Sequence, residues 1–165
     1  RRRASNMFGA LQSEPMEHME KLQWMLDTNG WGVEPVAAIE GGQPRAGYSY
    51  TFGLEALIGH PELVVFGLTP AAARGILELV VNHLKAGGEV PTSQEFVGLL
   101  DNDLRSALMD VDRTQHAELF GTLPMIYGEQ DWRVRQFVWP HRNGALPWEA
   151  DFPEELRLAQ PVIGT

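Results

Sequence analysis

The sequence predicts an α+β domain, with a mixed or mainly antiparallel sheet of about five to six strands and two main helices packed on it. Three observations predict this. Short apolar or alternating runs follow one another across turns, at 31–39, 46–53, 62–67, 95–100, 104–111 and 133–139, with few helices between them. Only two segments carry an extended helical apolar period. The chain has 165 residues, 44% of them hydrophobic, which suits one compact core that buries roughly two thirds of the unfolded surface.

Along the chain, Arg1-Arg2-Arg3 without an initiating Met marks residues 1–12 as a flexible or trimmed segment, and a single domain is expected over 13–165. Ser13 can cap a first helix whose Met16, Met19, Leu22, Met25 and Leu26 form an apolar stripe, read as core, and Asn29-Gly30 stops it. The run 31–39 contains Pro35, which cannot donate to a ladder and therefore favours an edge strand. In 46–53, Tyr48, Tyr50 and Phe52 share one face, while Gly47, Ser49, Thr51 and Gly53 give the other a small, hydroxylated surface that a backbone, side chain or ligand can approach closely. The run 62–67 reads as a buried strand.

Thr69-Pro70 opens the best-marked helix, with Ala73, Ile76, Leu77, Val80, Val81 and Leu84 at helical spacing and Gly87-Gly88 as its stop. The runs 95–100 and 104–111 predict a hairpin turning at Asp101-Asn102-Asp103. Asp112 and Gln115 fit a capping pattern for a short helix to about Phe120. In the last strand Gln136 shares a face with Val134 and Val138, so its amide must find partners. The tail 146–165 carries three prolines and is expected to lie extended over the body.

Composition bounds function. With no cysteine, disulfides, thiolate metal sites and a cysteine nucleophile are excluded. A formal charge of −9 argues against nucleic-acid binding, whose affinity rests on Lys and Arg at phosphates. No apolar run approaches the ~18 residues of a membrane span, so no membrane partner is expected and the cytoplasm is the expected compartment. No metal and no cofactor is expected, and a homodimer stays open. The GxSxG, GxGxxG, HExxH and phosphate-loop signatures are absent.

Two clusters remain. In Gly59-His60-Pro61-Glu62, His60 and Glu62 are two residues apart and would share a side if the strand began early; the carboxylate could then orient the imidazole as a base or metal ligand. The bland alternative is a turn with capping groups. Gln136, Trp139, His141, Asn143, Trp148 and Glu149 gather amides and two indoles at the end of the last strand, either lining a pocket or closing the core.

These residues also carry a resemblance. Tyr50-Thr51-Phe52-Gly53-Leu54, Gly59-His60-Pro61-Glu62-Leu63-Val64-Val65, Gly67-Leu68, Gln136-Phe137-Val138-Trp139-Pro140, Gly144, Pro147-Trp148 and Gln160-Pro161 resemble, in order, the running pattern of the domain-of-unknown-function 4262 family, from about residue 30 onward. Its members are mostly bacterial and phage proteins. His141 stands where that pattern usually has Asp. The resemblance implies that Tyr50, His60, Glu62, Gln136, Trp139 and Trp148 belong to one shared feature, either a site or the joints of the fold.

The leading expectation is a noncatalytic binding domain for a small molecule or protein segment, with Tyr50, Thr51, Gln136, Trp139, His141 and Trp148 as ligand-binding candidates. The first alternative is a hydrolase or transferase in which His60 and Glu62 are catalytic and converge near Gln136. The second is a protein-interaction module of conflict systems or phage.

Overall fold

The computed structural model describes residues 17–165. The expectations for segment 1–12, the Ser13 cap and Met16 lie outside the described residues. Helix α1 covers 17–29 and stops at Gly30, whose φ of +82° turns the chain into the sheet. Leu22 is buried, and Met25 and Leu26 pack against the same cluster, so this part of the stripe is core as its spacing predicts, whereas Met19, one turn earlier, is exposed.

The sheet has six strands: β1 (Gly32–Val36), β2 (Tyr48–Phe52), β3 (Glu62–Phe66), β4 (Glu95–Phe96), β5 (Ser106–Asp110) and β6 (Val134–Val138). Their order is β1-β2-β3-β6-β5-β4, with β3 and β6 parallel and every other neighbour antiparallel. The sheet is therefore mixed, and the chain is α+β. Pro35 sits on β1, the outer strand, where its missing N–H costs no ladder bond.

Helix α3 (Pro70–Lys85) begins as its sequence dictates: the Thr69 hydroxyl accepts from the Ala72 N–H at 3.2 Å and Pro70 occupies the first turn. Its Ala73, Leu77, Val80 and Val81 meet Leu63, Val65, Leu108 and Phe137 in one core cluster. The other face of the sheet carries Tyr48, Tyr50, Phe52, Val64 and Phe66, which pack with Phe120, Leu123, Tyr127 and Trp132. Tyr50 and Phe120 meet edge to face with ring centroids 5.2 Å apart.

Several elements differ from expectation. Two short helices, α2 (Leu54–Ile58) and α5 (Thr122–Tyr127), have too few residues to display a period. The segment after Asp112 is α4 (Arg113–His116), followed by a tight turn over Ala117–Leu119; the Asp112 carboxylate accepts from Thr114 N. The β4–β5 pairing forms, but β4 is two residues long because Gly98, at φ +108°, leaves the extended region. The tail is not wholly extended: α6 (Glu154–Ala159) starts behind Pro153 with two acidic residues in its first turn, where the helix dipole favours them.

The tail is held on the sheet by Gln136, which is fully buried. Its Nε2 donates to Pro161 O at 2.8 Å, and its Oε1 accepts from Ile163 N at 2.8 Å and Gly164 N at 3.0 Å. Gln160 makes a matching pair with the Trp139 backbone, accepting from its N–H and donating to its carbonyl. Gln136→Ala would leave three backbone groups of the tail without their partner, so we expect a loss of about 2–3 kcal/mol in urea denaturation. A loss near zero would mean that the tail is held by other contacts.

Candidate functional site

Glu62 is the most enclosed ionisable group of the two sequence clusters, fully buried at the first residue of β3. Its Oε1 accepts from the Thr51 hydroxyl at 2.8 Å and Leu54 N at 3.1 Å, and its Oε2 accepts from Glu55 N at 3.0 Å and the Tyr127 hydroxyl at 2.5 Å. Thr51 Oγ1 in turn accepts from Leu63 N at 2.8 Å, and Tyr127 Oη from Ala56 N at 3.4 Å. The first three N–H groups of α2 are thus satisfied by one carboxylate and one phenol.

Glycine explains this arrangement. The residue before α2 is Gly53, at φ +90°, and a Cβ there would lie 2.7 Å from Gly30 O. A residue that must be Gly cannot bring its own capping oxygen, and Glu62 supplies it from the neighbouring strand. Burial pushes the Glu62 carboxyl above its ordinary range, while the four donors pull it down. Burial and the adjacent carboxylate raise the Tyr127 phenol, which keeps it a donor.

His60 lies elsewhere. Its Nδ1 lies 2.7 Å from Pro61 O and donates to it, leaving Nε2 to accept, at 3.4 Å, from Arg135 Nη1. Burial lowers its pKa, helped by the nearby Arg135 and Arg133. It borders a cleft of about 560 Å³ beside the end of α3, together with Leu84, Gly88, Thr92 and Arg135. All four Glu62 hydrogen bonds come from other groups, so the pairing of Glu62 with His60 expected of a catalytic dyad is not formed. Nor does His60 reach Gln136, whose amide is taken up by the tail.

Most of the remaining sequence-predicted residues act as joints. The Tyr50 hydroxyl accepts from Thr122 N at 3.1 Å in the core. Trp139 Nε1 donates to Phe66 O at 2.7 Å across the sheet. His141 stacks edge-on to Phe152 and accepts from Asn143 N within its own turn. Tyr50, Thr51, Gln136 and Trp139 are all buried, and the structure does not bring them together around one opening.

Trp148 is the exception, with 45% of its surface exposed. It stands over a cleft of about 430 Å³ floored by Ala107 and Met109 of β5 and rimmed by Ser93, Gln94 and Glu95. Its Nε1 donates to Glu95 Oε2 at 3.3 Å. Two guanidiniums, neither singled out by the sequence, hold the loop. Arg105 grips both oxygens of Glu149, at 2.5 and 2.9 Å, and donates to Glu95 and Gly144 O. Arg157 donates to Pro147 O at 3.0 Å and Glu149 O at 2.7 Å. The Arg105 guanidinium holds the Glu149 carboxyl down to about 2. A signal was available only for Glu149, which sat in the second cluster; Arg105 lies 44 residues from its partner.

Among the described residues, no group of three or more His, Asp or Glu is placed to hold a metal ion, and no helix is long and apolar enough to cross a membrane. A family model described as Domain of unknown function (DUF4262) matches residues 25–153. No curated protein and no solved structure matches the chain.

Two outcomes follow from this geometry. Glu62→Ala strands four donors, two of them the first N–H groups of α2, and should cost about 3 kcal/mol or more in denaturant unfolding; Glu62→Gln, which keeps one acceptor, should cost less. A Glu62→Gln variant more stable than the parent would show that the charge costs more than its hydrogen bonds return. Burial disfavours the protonated form of His60 in the fold, whereas in the unfolded chain it takes up a proton near its ordinary pKa of about 6.5. Its contribution to stability is therefore full above that pH and is lost as pH falls below it. Thermal melts at about pH 7.5 and 5.5 should show a larger drop for the parent than for His60→Gln; equal drops would refute the assignment.

Proposed function

The chain belongs to the DUF4262 family, and on that premise we propose that it is a noncatalytic binding domain whose ligand lies against Trp148. The observation that carries this reading is the half-exposed indole on a loop tied down at both ends. Trp24 is more exposed still, so exposure alone would say little; what sets Trp148 apart is that its ring stands over a cleft with its N–H engaged at the rim, an amphipathic group of the kind enriched at binding surfaces. Here the neighbouring Ala145, Leu146 and Pro147 are buried, while Trp148 is turned outward. The backbone around it is held by Arg105, Arg157 and Glu149. A ligand meeting such a ring has little loop entropy to overcome.

The cleft's chemistry narrows the ligand class. At about 430 Å³ it lies within the range of small-molecule sites. Ala107, Met109 and the indole offer apolar contact, and Ser93, Gln94 and Glu95 offer polar groups at the rim. This favours a compact, flat, mainly apolar molecule with a hydrogen-bonding substituent. Met109 can adjust to irregular shapes, so shape selection falls mainly to the indole.

The test is a fragment titration followed through the Trp148 indole N–H resonance, assigned by its absence in Trp148→Phe. Heteroaromatic and acyl-amide fragments should shift this resonance saturably. Trp148→Ala should leave stability within about 1 kcal/mol of the parent and weaken binding by tenfold or more. Equal affinity for Trp148→Ala would overturn the reading. Binding of peptides but of no fragment would assign the cleft to a protein segment instead.

A further inference from the structure

The cleft beside the end of α3 contains a cation whose donors are only partly used by local partners. Arg135 is three-quarters buried and uses its Nε on Asp110 Oδ1, at 2.9 Å. Its Nη1 points at His60 Nε2 from 3.4 Å, a long contact to a neutral nitrogen. Among the described residues its Nη2 meets no acceptor. The imidazole is locked through Nδ1 to Pro61 O, so only Nε2 faces the guanidinium. A planar cation and an imidazole edge therefore converge on an open volume of about 560 Å³.

We propose that this cleft binds a small oxyanion, a carboxylate or phosphate group, between the Arg135 guanidinium and the Nε2 of His60. One oxygen accepts from Arg135, and a second accepts from His60 once Nε2 has taken a proton from solvent. Both bonds are then made to a charged acceptor and replace one long contact between the guanidinium and an uncharged nitrogen. The guanidinium presents its donors in a fork that matches an oxyanion, as an ammonium would not.

The charges around His60 are consistent with this exchange. From β6 Arg135 faces it, and from the segment before β6 Arg133, which is occupied by Glu55 of α2 and by Gly59 O. Asp110 of β5 is occupied by Arg135. His83 of α3 contacts the carbonyl of Glu89, a residue that also borders the cleft. The two arginines oppose a charge on His60, and a bound anion removes that opposition. Glu89 at the rim favours a singly charged anion over a doubly charged one. The site lies on the α3 side of the sheet and shares no lining residue with the cleft beneath Trp148, so it stands independently of the reading given for that residue.

The experiment is a pH titration of the His60 ring nitrogens by NMR in chloride, in acetate and in inorganic phosphate at matched ionic strength. Acetate or phosphate should raise the midpoint by about one unit, a tenfold gain in proton affinity, in a saturable manner. A response to acetate alone assigns a carboxylate ligand, and a response to phosphate alone a phosphate ligand. Arg135→Gln should abolish the shift. Should that variant not fold, His60→Gln supplies the second arm: anion binding measured by calorimetry should lose its proton uptake and its pH dependence. Identical His60 titrations in all three salts, or an undiminished shift in folded Arg135→Gln, would overturn the proposal.

Discussion

A carboxylate taken fully out of water needs a donor for each exposed lone pair, and Glu62 meets this demand without a cation. Its donors come from the end of β2, the start of α2 and the end of α5, while Glu62 itself opens β3. Four segments therefore share one anion. Thr51 passes the connection on to the Leu63 N–H, so the corner between β2 and β3 is tied both by backbone pairing and by side chains. The same corner needs Gly53, because Gly30 O and Leu26 occupy the space of a Cβ. Thr51, Gly53, Leu54 and Glu62 thus form a single structural unit although they read as two separate sequence blocks.

Elements with a strong period were legible. The alternation of Tyr48, Tyr50 and Phe52, the apolar stripe of α3 and the edge position implied by Pro35 all have local physical causes, and the structure bears them out. The five residues of α2 and six of α5 are shorter than two turns, so no stripe could announce them. The candidate residues were legible as important and not as to role. Tyr50, Thr51, Gln136 and Trp139 combine an apolar setting with a polar atom, the signature of a pocket lining and equally of a buried joint. Their hydrogen-bond partners decide between the two, and sequence spacing hides those partners. Tyr127 lies 65 residues from Glu62, and Trp139 lies 73 from Phe66.

The two clefts have a common wall. Thr92 borders the one beside His60 and forms a bridge with Leu108, whereas Ser93 borders the one beneath Trp148. Ser93 has a φ of +59°, a backbone state that non-glycine residues seldom adopt, and its N–H is held by Leu108 O at 2.8 Å. Its hydroxyl donates to Thr165 O. One short segment thus separates an apolar, indole-lined cleft from a mixed one that contains Arg135 and His60, and any displacement of it alters both walls.

The borders of the sheet have a consequence for how chains of this kind meet one another. A long, flat outer strand is a template on which further chains stack into fibrils. The outermost strand here, β1, is broken as a template by Pro35, and β4 at the opposite side is only two residues long. Past β4, the free flank of β5 is occupied by Ser93 and by Thr165, which exchanges both backbone bonds with Asp110. Among the described residues neither flank offers the uninterrupted row of donors and acceptors that fibril growth requires, so crowding should bring such chains together through side chains rather than through shared backbone.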